Sequence, residues 1–107
     1  MDKKFHIAIN TADLKASISE YTLRLGCKPC VIVPNDYALW RTEFLNFSVR
    51  CSDDRGNLRH LGWEDGTALE FSKDIDCNGI TWEKFTARQQ QEEIESIWSE
   101  KVIIRED

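Results

Sequence analysis

"FHIAINTADLKASISEYTLRLG", Phe5 to Gly26, reads as a strand running into a helix. Apolar Phe5, Ile7 and Ile9 alternate with His6, Ala8 and Asn10, the period-two signature of a strand whose two faces differ. Asp13 stands where a helix needs a cap. Leu14, Ile18, Tyr21 and Leu25 recur at spacings of four and three, and Gly26 suits the left-handed turn that ends a helix. The strand therefore turns an apolar face toward its helix and a histidine away from it.

Downstream, "CVIV" from Cys30, "YALWRT" from Tyr37 and "LNFSVRC" from Leu45 are rich in β-branched and aromatic residues and predict three short strands. The first half is then β-α-β-β-β. "LRHLGWE", "ALEFSKDID" and "ITWEKF" predict three more strands, the last two joined at Asn78-Gly79, a strong hairpin-turn signal. Thr86 with Gln89 three places on forms a capping box for a second helix striped by Ile94, Ile97 and Trp98. "KVIIRED" predicts a last edge strand. The expected fold is α+β, a βαβββ module followed by a shortened second β module and a C-terminal helix, in a single domain spanning residues 1–107.

With 107 residues, 41% apolar and 31% charged, the chain has the composition of one soluble globule. A net charge of -5 lacks the basic footprint of a nucleic-acid or anionic-membrane binder. Small molecules and protein partners remain. The amino terminus lacks an apolar core of signal-peptide length and no apolar run reaches the length of a membrane span, so a cytoplasmic location is expected. The same absence predicts that Cys27, Cys30, Cys51 and Cys77 stay as thiols.

"FHIAIN" and "RHLGWE" superimpose as x-His-apolar-small-apolar-polar, and "LNFS" lines up with "WEKF", which sets Asn46 against Glu83. The interval from His60 to Glu83 is shorter than that from His6 to Asn46 by about the length of a helix and a loop. A crossover helix has been dropped from the second half, and the C-terminal helix is expected to cover the sheet face left bare. His6 and His60, the only histidines, point away from their apolar strand neighbours, as Glu83 points away from Ile80 and Trp82. Two imidazoles and a carboxylate on one face are a standard donor set for a divalent metal with open positions, whether zinc, ferrous iron, manganese or nickel.

These motifs, from "FHIAINTADLKASISEYTLRLGCKP" through "YALWRTEFLNFSV" and "LRHLGWE" to "ITWEKF", resemble the vicinal-oxygen-chelate superfamily of glyoxalases, extradiol dioxygenases, fosfomycin-resistance transferases and bleomycin-binding proteins. The nearest likeness is to the cadmium-induced and organoarsenical-lyase branch, over about Phe5 to Phe85. The resemblance implies paired βαβββ units forming a cup around a metal. His6, His60 and Glu83 become its ligands, with Glu83 also the catalytic candidate, and Asn46 falls where some members have a fourth ligand. It further implies a lyase, isomerase or dioxygenase acting on a small molecule that chelates the metal through adjacent oxygens. Short relatives close the cup by pairing two copies, which implies a homodimer with the metal site at or near the interface. The cysteine-bearing loop of arsenical-cleaving members is missing, so carbon–arsenic cleavage is not expected.

"GCKPC" invites a redox reading, but Cys27 and Cys30 follow a helix and so sit at the negative end of its dipole, not at the end that activates thiols. A turn into a strand is expected. Glu64 and Tyr37 are further acid–base candidates. An amide is a weak ligand, so at Asn46 water or substrate is expected instead, and Asn46, Trp40 and Trp63 are the substrate-contact candidates. The competing functions are a metal-free module that sequesters an apolar or aromatic ligand against Trp40, Trp63 and Phe47, and a dimeric interaction module with a relic site.

Overall fold

The computed structural model describes residues 3–106. Its elements follow the expected α+β order: β1 (Lys3–Thr11), α1 (Leu14–Leu25), β2 (Val31–Val33), β3 (Tyr37–Arg41), β4 (Leu45–Cys51), β5 (Leu58–Asp65), β6 (Ser72–Ile75), β7 (Thr81–Phe85), α2 (Ala87–Ile97) and β8 (Ile104–Arg105). Local chemistry sets most of the boundaries. The Asp13 carboxylate accepts the Ala16 amide at the start of α1, and Gly26 ends that helix at φ 76°. Thr86 and Gln89 form the reciprocal capping box. Asp76 tightens the β6–β7 hairpin by accepting from the Asn78 and Ile80 amides, with Gly79 at φ 79°. One strand is shorter than expected: of "ALEFSKDID" only Ser72–Ile75 joins the sheet.

All eight strands form one sheet in the order β6-β7-β5-β1-β4-β3-β2-β8. Two half-sheets meet at the antiparallel β1–β5 pair, with β4 parallel to β1 on one side and β7 parallel to β5 on the other. His6 faces Gly62 and Ala8 faces His60, so exchanging the halves carries His6 onto His60 and Ala8 onto Gly62. This is the internal repeat in three dimensions. Its register differs from the sequence alignment: Gly62 pairs with Glu83 while its counterpart Ala8 pairs with Ser48. Glu83 therefore occupies the place of Ser48, two residues from the Asn46 alignment, and a shift of two preserves the face.

The two helices lie on opposite faces of the first half-sheet. Under α1, Leu14 packs with Ala38, Trp40 and Val49, joined by Ile18, Tyr21 and Phe47. Against α2, Ile94 and Trp98 pack on Val31, Val33, Tyr37 and Leu39, the alternate residues of β2 and β3. This corrects the expectation for the C-terminal helix. It docks on the histidine-bearing face of the first half and leaves the α1-side face of the second half uncovered, where Phe5, Trp63 and Trp82 pack on one another. The stripe of Ile94 and Trp98 matches the apolar side of β2–β3, whereas Trp63, with Lys3 against its ring, offers a partly charged surface. Among the described residues no helix is long and apolar enough to cross a membrane.

Candidate metal centre

Alternation along β1, β5 and β7 brings His6, His60 and Glu83 together on the α2 face, all within one chain. His60 Nε2 lies 3.0 Å from His6 Nε2 and 3.0 Å from Glu83 Oε1, and His6 Nε2 lies 4.0 Å from that oxygen. A tetrahedral ion with bonds of about 2.0–2.1 Å needs donors about 3.3 Å apart, which these three separations bracket. The group could hold a metal ion. His6 and Glu83 are buried and His60 is half-buried.

Gly62 makes this convergence possible. A Cβ there would collide with the Glu83 carbonyl oxygen and stand 2.9 Å from the Glu83 amide nitrogen. Only glycine lets β7 approach β5 closely enough to bring the carboxylate to the histidines.

The other nitrogen of His6 is held from β4. Nδ1 lies 2.9 Å from Asn46 Oδ1 and 3.0 Å from the Asn46 main-chain oxygen. A carbonyl oxygen can only accept, so Nδ1 carries the proton and the Nε2 lone pair faces His60 and Glu83. Asn46 is itself saturated. Its Nδ2 donates to Glu64 Oε1 at 2.7 Å and to Gln90 Oε1 at 2.8 Å, while its Oδ1 also accepts from Gln90 Nε2 at 3.1 Å. Arg41 closes the network, donating to Glu64 and Gln90 at 2.7 Å each.

These contacts revise several assignments. Asn46 has no hydrogen-bonding capacity left for a substrate or metal; it orients His6. Trp40 does not line the site: it is fully buried under α1, on the far side of the sheet. Phe47 packs with it, and Trp63 stands on the same outward side against Phe5. Glu64 is engaged by Arg41 and Asn46, which removes it as a free base. Tyr37 does face the cavity, but burial pushes its hydroxyl up to about 12, so it is a donor at neutral pH.

Electrostatics favour the ligand-ready protonation states of His6 and Glu83. Burial first, then the neighbouring His60, lowers His6 to about 4, which keeps it neutral. Burial pushes the Glu83 carboxyl up, but the hydrogen bond and charge of His60, with His6 and Lys73, outweigh it and hold the group below the usual carboxylate range. Lys73 Nζ is 3.6 Å from Glu83 Oε2.

Beside the triad opens a cavity of about 260 Å³, walled by β-sheet residues on one side and α2 on the other. Phe85 sets its ring edge-on to His6 at 4.9 Å and stacks with Phe71. Arg50, Arg59, Lys73 and Glu93 bring charge to the walls. Gln90, Arg41, Arg50 and Arg59 were not anticipated from sequence. Arg50 alone had a readable signal, since it shares the side of Asn46 and Ser48 in "LNFSVRC".

The cysteines are free thiols. Burial pushes the Cys30 thiol up, offset only in part by Arg41, and "GCKPC" is a turn from α1 into β2.

A comparison with protein-family profiles and with curated sequences gives no match.

Proposed function

We propose that this protein is a glyoxalase-like, metal-dependent enzyme of the lyase, isomerase or dioxygenase kind, acting on a small molecule that offers two adjacent oxygens. The observation that carries this reading is the convergence of His6 Nε2, His60 Nε2 and a Glu83 oxygen, with the His6 lone pair aimed inward by Asn46. Two imidazoles and one carboxylate suit zinc, ferrous iron, manganese or nickel. Bound there, such an ion supplies Lewis acidity toward a substrate oxygen. The chain's own residues supply the rest. Asn46 and Gln90 fix the first histidine, Phe85 and Phe71 exclude water from one wall, and α2 borders the cavity that receives the substrate. Tyr37, protonated at neutral pH, can donate to an oxygen on which charge develops.

The metal-free aromatic-cage alternative is not favoured, because Trp40, Trp63 and Phe47 all lie off the cavity. Pairing of two copies remains part of the proposal. Its basis is now the uncovered Phe5–Trp63–Trp82 face and the exposed edge strand β6, not a site shared between chains.

Elemental analysis after mild purification, followed by zinc titration of chelator-treated protein, tests the reading. One equivalent bound with micromolar or tighter affinity, and its loss in His60→Ala and Glu83→Gln, is expected. Failure of zinc, iron, manganese and nickel to bind would discard it.

A further inference from the structure

The cavity beside the triad contains two arginines, Arg50 from β4 and Arg59 from β5. Among the described residues neither has a carboxylate within 4.0 Å. Half-buried, unpaired guanidinium groups are uncommon in a chain of net charge -5, since surplus carboxylates are at hand to neutralise them. The acids nearby are otherwise placed. On the outer side of the pair, Asp36 is engaged by Lys101 at 3.0 Å, and Asp53, exposed, makes no ion pair with either arginine. Glu83 is engaged by His60 and Lys73, and Glu93 lines the cavity without reaching either arginine.

Arg59 is there because of a backbone irregularity. Ala8 pairs with His60 but Ile9 pairs with Leu58, so Arg59 is the extra residue of a β-bulge. Strict alternation would send it to the face opposite His60; the bulge re-aims it so that both side chains line the cavity. Arg50 is braced with its guanidinium carbon 5.2 Å from the centre of the Trp98 ring, an arrangement that holds the group while leaving its edge free to donate.

We propose that Arg50 and Arg59 form an anion subsite for a phosphate-class dianion, the charged end of the small molecule whose adjacent oxygens reach the triad. One guanidinium fork satisfies both oxygens of a carboxylate, whereas the three terminal oxygens of a phosphate leave acceptors for a second fork, and its two charges match both cations. The subsite stands on the arginines alone. Its assignment to a metal-chelating substrate rests on the function proposed above.

The test separates the two. Calorimetric titration of chelator-treated protein with inorganic phosphate reads the subsite without the metal, which would itself bind phosphate. Binding is expected, at least tenfold weaker in Arg50→Gln and in Arg59→Gln and several-fold weaker in the charge-preserving Arg50→Lys and Arg59→Lys, with circular dichroism confirming that each variant folds. Acetate should bind at least tenfold more weakly than phosphate. No phosphate binding by the wild type, wild-type affinity in both glutamine variants, or equal affinity for acetate would overturn the subsite. Zinc loading should tighten the binding of glycerol 3-phosphate, which adds two neighbouring hydroxyls, at least tenfold more than it tightens the binding of inorganic phosphate. An equal gain for the two in a zinc-loaded sample would confine the site to free phosphate and overturn the substrate assignment. Failure to load zinc would instead remove the metal reading while leaving the phosphate result intact.

Discussion

His6 and Asn46 are joined twice, Nδ1 of the ring lying 2.9 Å from the Asn46 side-chain oxygen and 3.0 Å from its main-chain oxygen. The pair are also register partners on the parallel strands β1 and β4. Backbone pairing thus aims a ligand, and the amide fixes which nitrogen carries the proton. Asn46→Ala removes the side-chain acceptor and takes the amide from Gln90 and Glu64, leaving both held by Arg41. Zinc affinity should fall about 10–100-fold, the usual cost of losing a group that orients a histidine ligand. A competition assay with a chromophoric chelator measures it, and an unchanged affinity would mean that the main-chain contact alone holds the ring.

Gly62→Ala should be more damaging than its size suggests. The added methyl meets the Glu83 backbone, so β7 must move away from β5 and carry the carboxylate with it. A destabilisation of about 1–3 kcal/mol is expected from such overpacking at a buried position, together with loss of zinc binding. Urea denaturation and zinc titration of the same variant report the two effects. A variant that binds zinc normally would show that β7 can slide without displacing Glu83.

Metal-free protein should lose stability on acidification. His6 has its folded pKa lowered to about 4 from an ordinary value of 6.5, so below pH 6.5 the unfolded chain takes a proton that the folded chain refuses. Its contribution is complete above pH 6.5 and is lost as the pH falls toward 4, about 2 kcal/mol between pH 7 and 5. Glu83, held below 4.5, acts in the same direction at lower pH, its contribution present above the unfolded pKa and lost as pH falls through the folded one. Urea midpoints measured in the presence of a chelator should therefore drop from pH 7 to 5, and His6→Gln should flatten that slope.

Cys27 and Cys30 should stay reduced and carry no redox chemistry. They follow α1 at its carboxyl end, and burial raises Cys30 further. Alkylation rates measured against pH should reveal no thiol that titrates below 7; one that did would restore a redox role to "GCKPC".

Two copies are expected to associate through the face that α2 leaves bare. Phe5, Trp63 and Trp82 form an aromatic cluster there, and Trp63 is 37% exposed. Light scattering at micromolar concentration should give twice the 12.5 kDa of one chain, and Trp63→Glu should return it to one. A single-chain mass for the wild type would end the dimer proposal.

The sequence by itself determined what is local. Alternation in "FHIAIN", "LRHLGWE" and "ITWEKF" set the sides of His6, His60 and Glu83; Asp13, Gly26, the Asn78-Gly79 turn and the Thr86–Gln89 box set the element ends. A strand period or a helix cap involves neighbours a few residues apart, so its chemistry can be read along the chain. Tertiary structure decided the rest. The bulge that turns Arg59 inward, the two-residue shift that sets Glu83 in the place of Ser48, and the choice of face for α2 each depend on how distant segments pack. Trp40 has the composition of a ligand-binding aromatic, but the α1 side of β3 claims it for the core. Asn46 has the composition of a ligand, and only the arrival of Gln90 and Glu64 from other elements shows its hydrogen bonds to be spent. Whether a polar side chain is free or saturated is a property of everything that surrounds it, and no single stretch of sequence contains that neighbourhood.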